Sequence, residues 1–138
     1  MRFLDAHFAV SLALASVLWT VQLVIYPAFK FIDPAQFERW HYRYTGAISW
    51  IVAPLILTQT SGVAGRLVVL GWPDGIWWIE FISTLIAWAV TCLVSIPLHK
   101  SLQRERTEAA MSSLVRTNWW RTAAWTLSAM CSGLATRT

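Results

Sequence analysis

Four stretches of this chain contain no Asp, Glu, Lys or Arg: residues 8–29, 44–65, 81–98 and 122–136. A bilayer core about 30 Å thick is crossed by roughly 20 helical residues, so the first three qualify outright, the third with Ile76 to Ile79 extending it beyond Glu80. The fourth is long enough once residues 114–121 join it, with Arg121 snorkelling towards an interface. Four spans then follow, at about 6–30, 44–66, 76–98 and 115–136. Leaving out the fourth would strand Trp119, Trp120 and Trp125 in water. Composition points to the same solvent. The chain is 57% hydrophobic and 13% charged, where soluble domains are nearer half apolar and a quarter charged. Ten tryptophans among its 138 residues exclude a disordered chain. A short, charge-bracketed start without a small-residue cleavage site makes the first stretch a retained helix, not a signal peptide.

The basic residues sit between the apolar runs. Lys30, Arg39 and Arg43 lie between the first and second runs. Lys100, Arg104, Arg106, Arg116 and Arg121 lie between or at the edge of the third and fourth. Those two segments share a side of the membrane and hold eight of the eleven basic residues. The positive-inside rule assigns that side to the cytoplasm and puts both termini outside. A net charge of +4 placed in this way speaks for anionic headgroups and against nucleic acid as the partner. Cys92 and Cys131 fall at different depths, too far apart for a disulfide, and read as small apolar packing residues.

The fold class expected is all-α: a polytopic membrane protein built as one antiparallel four-transmembrane-helix bundle. Asp33 caps a helix beginning at Pro34, and Phe37, Trp40, His41 and Tyr44 recur on one face of it. That aromatic face predicts a short interfacial helix between spans 1 and 2. Residues 100–113 read as a second short helix at the cytoplasmic surface. Pro54 and Pro97 are expected to kink the second span and the end of the third. Small residues recur at helical spacing in two spans, Ala9, Ala13, Ser16 and Thr20 in the first and Thr84, Ala87, Thr91 and Ser95 in the third, and Asn118, Trp125, Ser128 and Ser132 lie along one stripe of the fourth. Such stripes let helices approach closely in lipid.

Polar groups at membrane depth need compensation, and so mark candidate sites. Tyr26 and Gln22 end the first span, His41 and Tyr44 begin the second, His99 ends the third, and Asn118 and Arg121 begin the fourth. All four helices thus deliver a hydrogen-bonding or titratable group to the cytoplasmic end. Tyr26, His41, His99, Asn118 and Arg121 are the ligand-binding candidates there. Arg121, always charged and forked, suits an anion or enolate. At the outer end His7, Gln59 and Glu80 form a second polar set, in which Glu80 has Arg66 or His7 as a partner. Histidines 34 and 58 positions apart match no metal spacing, so no metal site is assigned. A haem or copper would have to use His41 with His99, or His7 alone. No phosphate loop, nucleophile elbow or dinucleotide fingerprint is present.

Three elements resemble a group of small uncharacterised bacterial four-helix inner-membrane proteins. One is Trp19-Thr20-Val21-Gln22 with Tyr26-Pro27, followed by Trp40-His41 and Val52-Ala53-Pro54. The second is Ile96-Pro97-Leu98-His99. The third, Asn118-Trp119-Trp120-Arg121-Thr122 with Trp125, is the most specific. Where that group carries a glutamate late in the second helix, this chain has Gln59, which argues against proton transfer or metal binding at that position. The Pro-Leu-His and Arg-Thr elements are also distantly similar to the anthrone-oxygenase-like membrane proteins, which oxidise polycyclic aromatic intermediates. The resemblance implies a bacterial cytoplasmic-membrane location, a fold and a kind of site, without a substrate.

The functional expectation is a membrane protein binding a small lipid-soluble ligand, or serving as an accessory protein, through the polar pocket at its cytoplasmic end. The first alternative is an oxygenase or oxidoreductase acting on an aromatic or quinone-like substrate, with a histidine as general base and Arg121 stabilising an enolate. A haem or quinone cofactor belongs with that alternative. The second is a structural subunit of a larger membrane complex. The lipid bilayer is the partner expected in every case, and the sequence leaves homodimerisation open.

Overall fold

The structure, a computed structural model, describes residues 2–71 and 73–137. It is all-helical, with four helices and no strand among the described residues. We label them α1 (Arg2–Phe31), α2 (Pro34–Leu70), α3 (Gly75–Arg104) and α4 (Glu108–Ala135). Three of them, α1 to α3, are long and apolar enough to cross a membrane. α4 is long enough but more polar, because it is the most enclosed. Asn118, Thr122, Ser128 and Ser132 on it are all buried against neighbouring helices.

The turns between helices are short and chemically specified. Asp33 caps α2 by accepting from the Ala35 N–H (2.8 Å). Asp74 caps α3 through Trp77 N–H (2.6 Å) and Thr107 caps α4 through Ala110 N–H (3.2 Å). Each side-chain oxygen satisfies one of the donors that a helix start leaves orphaned. Gly71, with φ at +83°, ends α2 in a conformation that only glycine adopts freely.

Three expectations need correction. First, residues 34–44 are no separate interfacial helix; they are the first turns of an unbroken α2. Their aromatic face turns into the bundle, where Phe37 and His41 are fully buried, and burial inside protein outweighs a position against lipid. α2 likewise runs through Pro54 without interruption. Second, residues 100–113 do not form one surface helix. Residues 100–104 complete α3, residues 105–107 turn, and α4 begins at Glu108. Third, the small-residue stripe of α1 faces outward. Ala9, Ala13, Ser16 and Thr20 are exposed, while Leu4, His7, Ser11, Leu14, Ala15 and Leu18 face in. Ser16 and Thr20 return their hydroxyls to the carbonyls of Leu12 (2.8 Å) and Ser16 (3.0 Å), so facing outward leaves no donor unmet. The stripes of α3 and α4 do face the interior; Thr84, Ala87, Ser95, Asn118, Trp125, Ser128 and Ser132 are buried.

Two apolar clusters hold the bundle. Leu14, Leu18, Ile56, Ala87, Ala124 and Trp125 pack at mid-length. Val21, Tyr26, Phe29, Phe37, Leu102 and Leu114 pack towards the end that bears most of the basic residues. Outside, large apolar side chains stand exposed on every helix, among them Trp50, Val68, Leu93, Trp120 and Met130. Soluble monomers rarely show so much contiguous apolar surface.

Candidate ligand site at the basic end

Tyr26 and His99 owe their positions to the prolines that follow them or precede them closely. A proline ring collides with the carbonyl four residues earlier and donates no hydrogen bond. Both α1 and α3 relieve this by widening one turn: π-helical turns cover Val21–Ile25 and Thr91–Ser95, just ahead of Pro27 and Pro97. In each, the N–H of the next residue reaches back five positions, Tyr26 to Val21 and Ile96 to Thr91. Such a turn holds an extra residue and shifts the helix face that follows it. Counting by 3.6 from the buried Ala87 would bring Val94 and Leu98 inward. The widened turn brings Ser95, which is buried, and His99, half-buried like Val94 and Leu98, towards the interior. A change of register thus accompanies Pro97.

The side chains so placed form a chain of hydrogen bonds. The Tyr26 hydroxyl lies 3.1 Å from His99 Nε2, and His99 Nδ1 lies 3.0 Å from His41 Nε2. The His41 ring stacks on Phe37 at 5.4 Å and meets the edge of Phe29 at 5.6 Å. Its Nδ1 is buried and has no hydrogen-bond partner among the described residues. That orphan sets the direction of the chain. For two neutral imidazoles only two directions exist. In one, His41 Nδ1 carries a hydrogen with nothing to accept it. In the other it keeps a bare lone pair, the cheaper orphan, since buried N–H groups without partners are rare. His41 then donates to His99 and His99 donates to the Tyr26 oxygen, which leaves the tyrosine's own hydrogen free.

Asn118 and Arg121 stand beside this chain on α4. Asn118 donates to Gln22 Oε1 (2.7 Å), and Gln22 donates to the Val115 carbonyl (3.1 Å). These bonds lock Asn118 between α1 and α4 and satisfy it inside the protein. Arg121 differs. Only 8% of it is exposed, its hydrogen bond to Asn118 Oδ1 is long at 3.4 Å, and its Nε has no partner among the described residues. Its guanidinium lies against the Tyr26 hydroxyl. No acidic side chain within ion-pairing distance accompanies it among the described residues.

Tyr26, His99 and Arg121 line a cavity of roughly 470 Å³ between α2 and α3, in the size range of pockets that hold one small molecule. Ile48, Val52, Ile56 and Trp88 supply apolar walls, and Ala53, Leu57 and Ile96 carry the cavity out to the bundle surface. Of the five residues expected at this end, three line it. His41 stands behind His99, and Asn118 behind Arg121. Reading the sequence by helix ends passes over Ser95, which also lines the cavity and whose buried hydroxyl has no partner among the described residues. Its position four residues before His99 is the signal that would have found it.

The second polar set is a different object. His7 Nε2 donates to Glu80 Oε1 (2.7 Å), and Arg66 Nη1 donates to Glu80 Oε2. Arg66 Nη2 also lies 3.8 Å from Asp74. Gln59 belongs to a separate group, donating to Ser128 Oγ (2.6 Å) and Thr84 Oγ1 (3.3 Å). Glu80 thus joins His7 and Arg66, although Arg66 Nε and Nη2, His7 Nδ1 and Gln59 Oε1 have no hydrogen-bond partner among the described residues, and none of His7, Arg66 and Glu80 lines the cavity at the basic end. A haem or copper would need a free histidine nitrogen facing open space. His99 has both nitrogens engaged, His41 Nδ1 is enclosed by aromatic rings, and His7 Nδ1 is pressed against Gly62. The residues as arranged do not fit an axial ligand.

No protein-family model, no curated protein and no solved structure matches this chain.

Proposed function

We propose that the protein is an integral membrane protein that binds a small lipid-soluble ligand in the cavity between α2 and α3. In this reading all four helices span a bacterial cytoplasmic membrane as an antiparallel bundle, with the basic end in the cytoplasm and both termini outside. The reading is supported by three helices of spanning length and apolarity, by the exposed apolar belt and by the gathering of basic residues at one end. The observation that carries the binding role is the cavity itself, apolar along its length and ending on Tyr26, His99 and Arg121. The test is native mass spectrometry of protein extracted gently from its membrane, beside the cavity-filling variant Val52→Trp. A bound mass present in the wild type and lost from a folded Val52→Trp protein is expected. Equal ligand content in both would refute the reading.

One observation favours an oxidoreductase acting on an aromatic or quinone-like substrate as the second reading. The Tyr26–His99–His41 chain is able to pass a proton to an oxygen held in the cavity. Reduced-minus-oxidised spectra of the purified protein with an added quinone analogue separate the two readings: turnover marks the enzyme, and saturable binding without turnover marks the binding protein.

A further inference from the structure

Arg121 is a buried cation lacking an acid, and the cavity in front of it lacks one too: no Asp or Glu lines it among the described residues, while Lys100 and Arg121 both do. A guanidinium withdrawn from water needs a counter-charge or strong acceptors. Ser95 Oγ, buried without a partner among the described residues, and the Tyr26 hydroxyl, its hydrogen left over once His99 donates to its oxygen, add two neutral donors to the lining of the same cavity. Donors therefore gather where acceptors are missing. From this we infer that the ligand is a lipid-soluble monoanion of one chain or one ring system. Its negatively charged oxygen, a carboxylate or an enolate, sits on Arg121, Tyr26 and Ser95. The inference deepens the binding role proposed above and rests on it.

The way in is also built. α2 and α3 are latched at two levels: Gln103 donates to Thr45 (3.0 Å) at the basic end, and Trp88 Nε1 donates to Thr60 (3.0 Å) further along. Fifteen residues separate the latches on each helix, about 22 Å at 1.5 Å per residue. The cavity opens through this interval, past Ala53, Leu57 and Ile96. These are apolar side chains exposed on the bundle surface. A ligand entering from lipid leads with its charged end and leaves its apolar body in the opening. The volume accommodates one chain and not the two of a phospholipid.

Equilibrium dialysis in nanodiscs of a neutral phospholipid tests this with radiolabelled dodecanoate and dodecanol as probes. The wild type is expected to hold dodecanoate about tenfold or more tighter than dodecanol, the scale of one charge-assisted hydrogen bond. Arg121→Gln should abolish that preference by weakening dodecanoate binding about tenfold or more. Ser95→Ala, which removes only a hydroxyl, should reduce it a few-fold. Equal binding of both probes, each displaced in Val52→Trp, would overturn the anion inference and leave the binding role standing. If neither probe binds in a way that Val52→Trp abolishes, both readings fall. Competition by an added anionic phospholipid would reassign the anion to a headgroup and overturn the single-chain class.

Discussion

Each end of this bundle buries an arginine, and the two are held in opposite ways. Arg66 is 1% exposed and meets Glu80, which also receives His7, with Asp74 at 3.8 Å. Arg121 is 8% exposed and meets a tyrosine, an asparagine and empty space. The first end has spent its charges on holding helices together; the second has left a charge over. A buried ion pair contributes little against an apolar substitute, yet breaking it by removing one partner is strongly destabilising. An unpaired buried cation is already the broken case.

The sharpest way to break this contrast is at the paired end. Glu80→Ala strands both Arg66 and His7, and should lower stability by about 3–5 kcal/mol in detergent unfolding. Next in size is the Gly62→Ala change. A Cβ there would stand 2.1 Å from His7 Nδ1, so a loss of about 1–3 kcal/mol is expected from overpacking. The same change at Gly46, where a Cβ meets nothing within 4 Å, should instead add about 0.5–1 kcal/mol by stiffening the helix. At the unpaired end the sign reverses. Arg121→Leu should leave stability unchanged or raise it by about 0.5–2 kcal/mol, as removal of a functional strain does, while anion binding is lost. A large loss of stability would show Arg121 to be a structural residue. Tyr26→Phe should cost about 1 kcal/mol for one hydrogen bond to His99, read by thermal unfolding without added ligand.

Much of the architecture was legible because lipid-sized apolar runs and charged punctuation are coarse signals. Asp33 before Pro34, and the turn around Asp74, mark helix starts within a residue of where they fall. Faces were harder. Ala9, Ala13, Ser16 and Thr20 look like an interface, but in a chain this apolar either face of α1 suits lipid. The choice is made by His7 and Gln22, whose polar groups find partners on other helices. The site was half legible. Polar residues at helix ends pointed to Tyr26, His99 and Arg121 together. That His41 and Asn118 stand one layer back is a matter of side-chain pairing, which spacing does not encode. Ser95 was legible as one of the interior stripe of α3 but not as a member of the site, because it lies within the helix and not at its end.

The widened turn of α3 has a consequence for how the chain's length is tolerated. Each π turn amounts to one amino acid gained within an otherwise regular rod, so a single-codon deletion between Thr91 and Ser95 would return a plain α-helix and still leave Ser95 and His99 on the inward face, because each would stand one position nearer Ala87. The wide turn thus absorbs an extra amino acid without rotating the far half of the rod, and a frame-preserving indel at this place leaves the inward residues where they are.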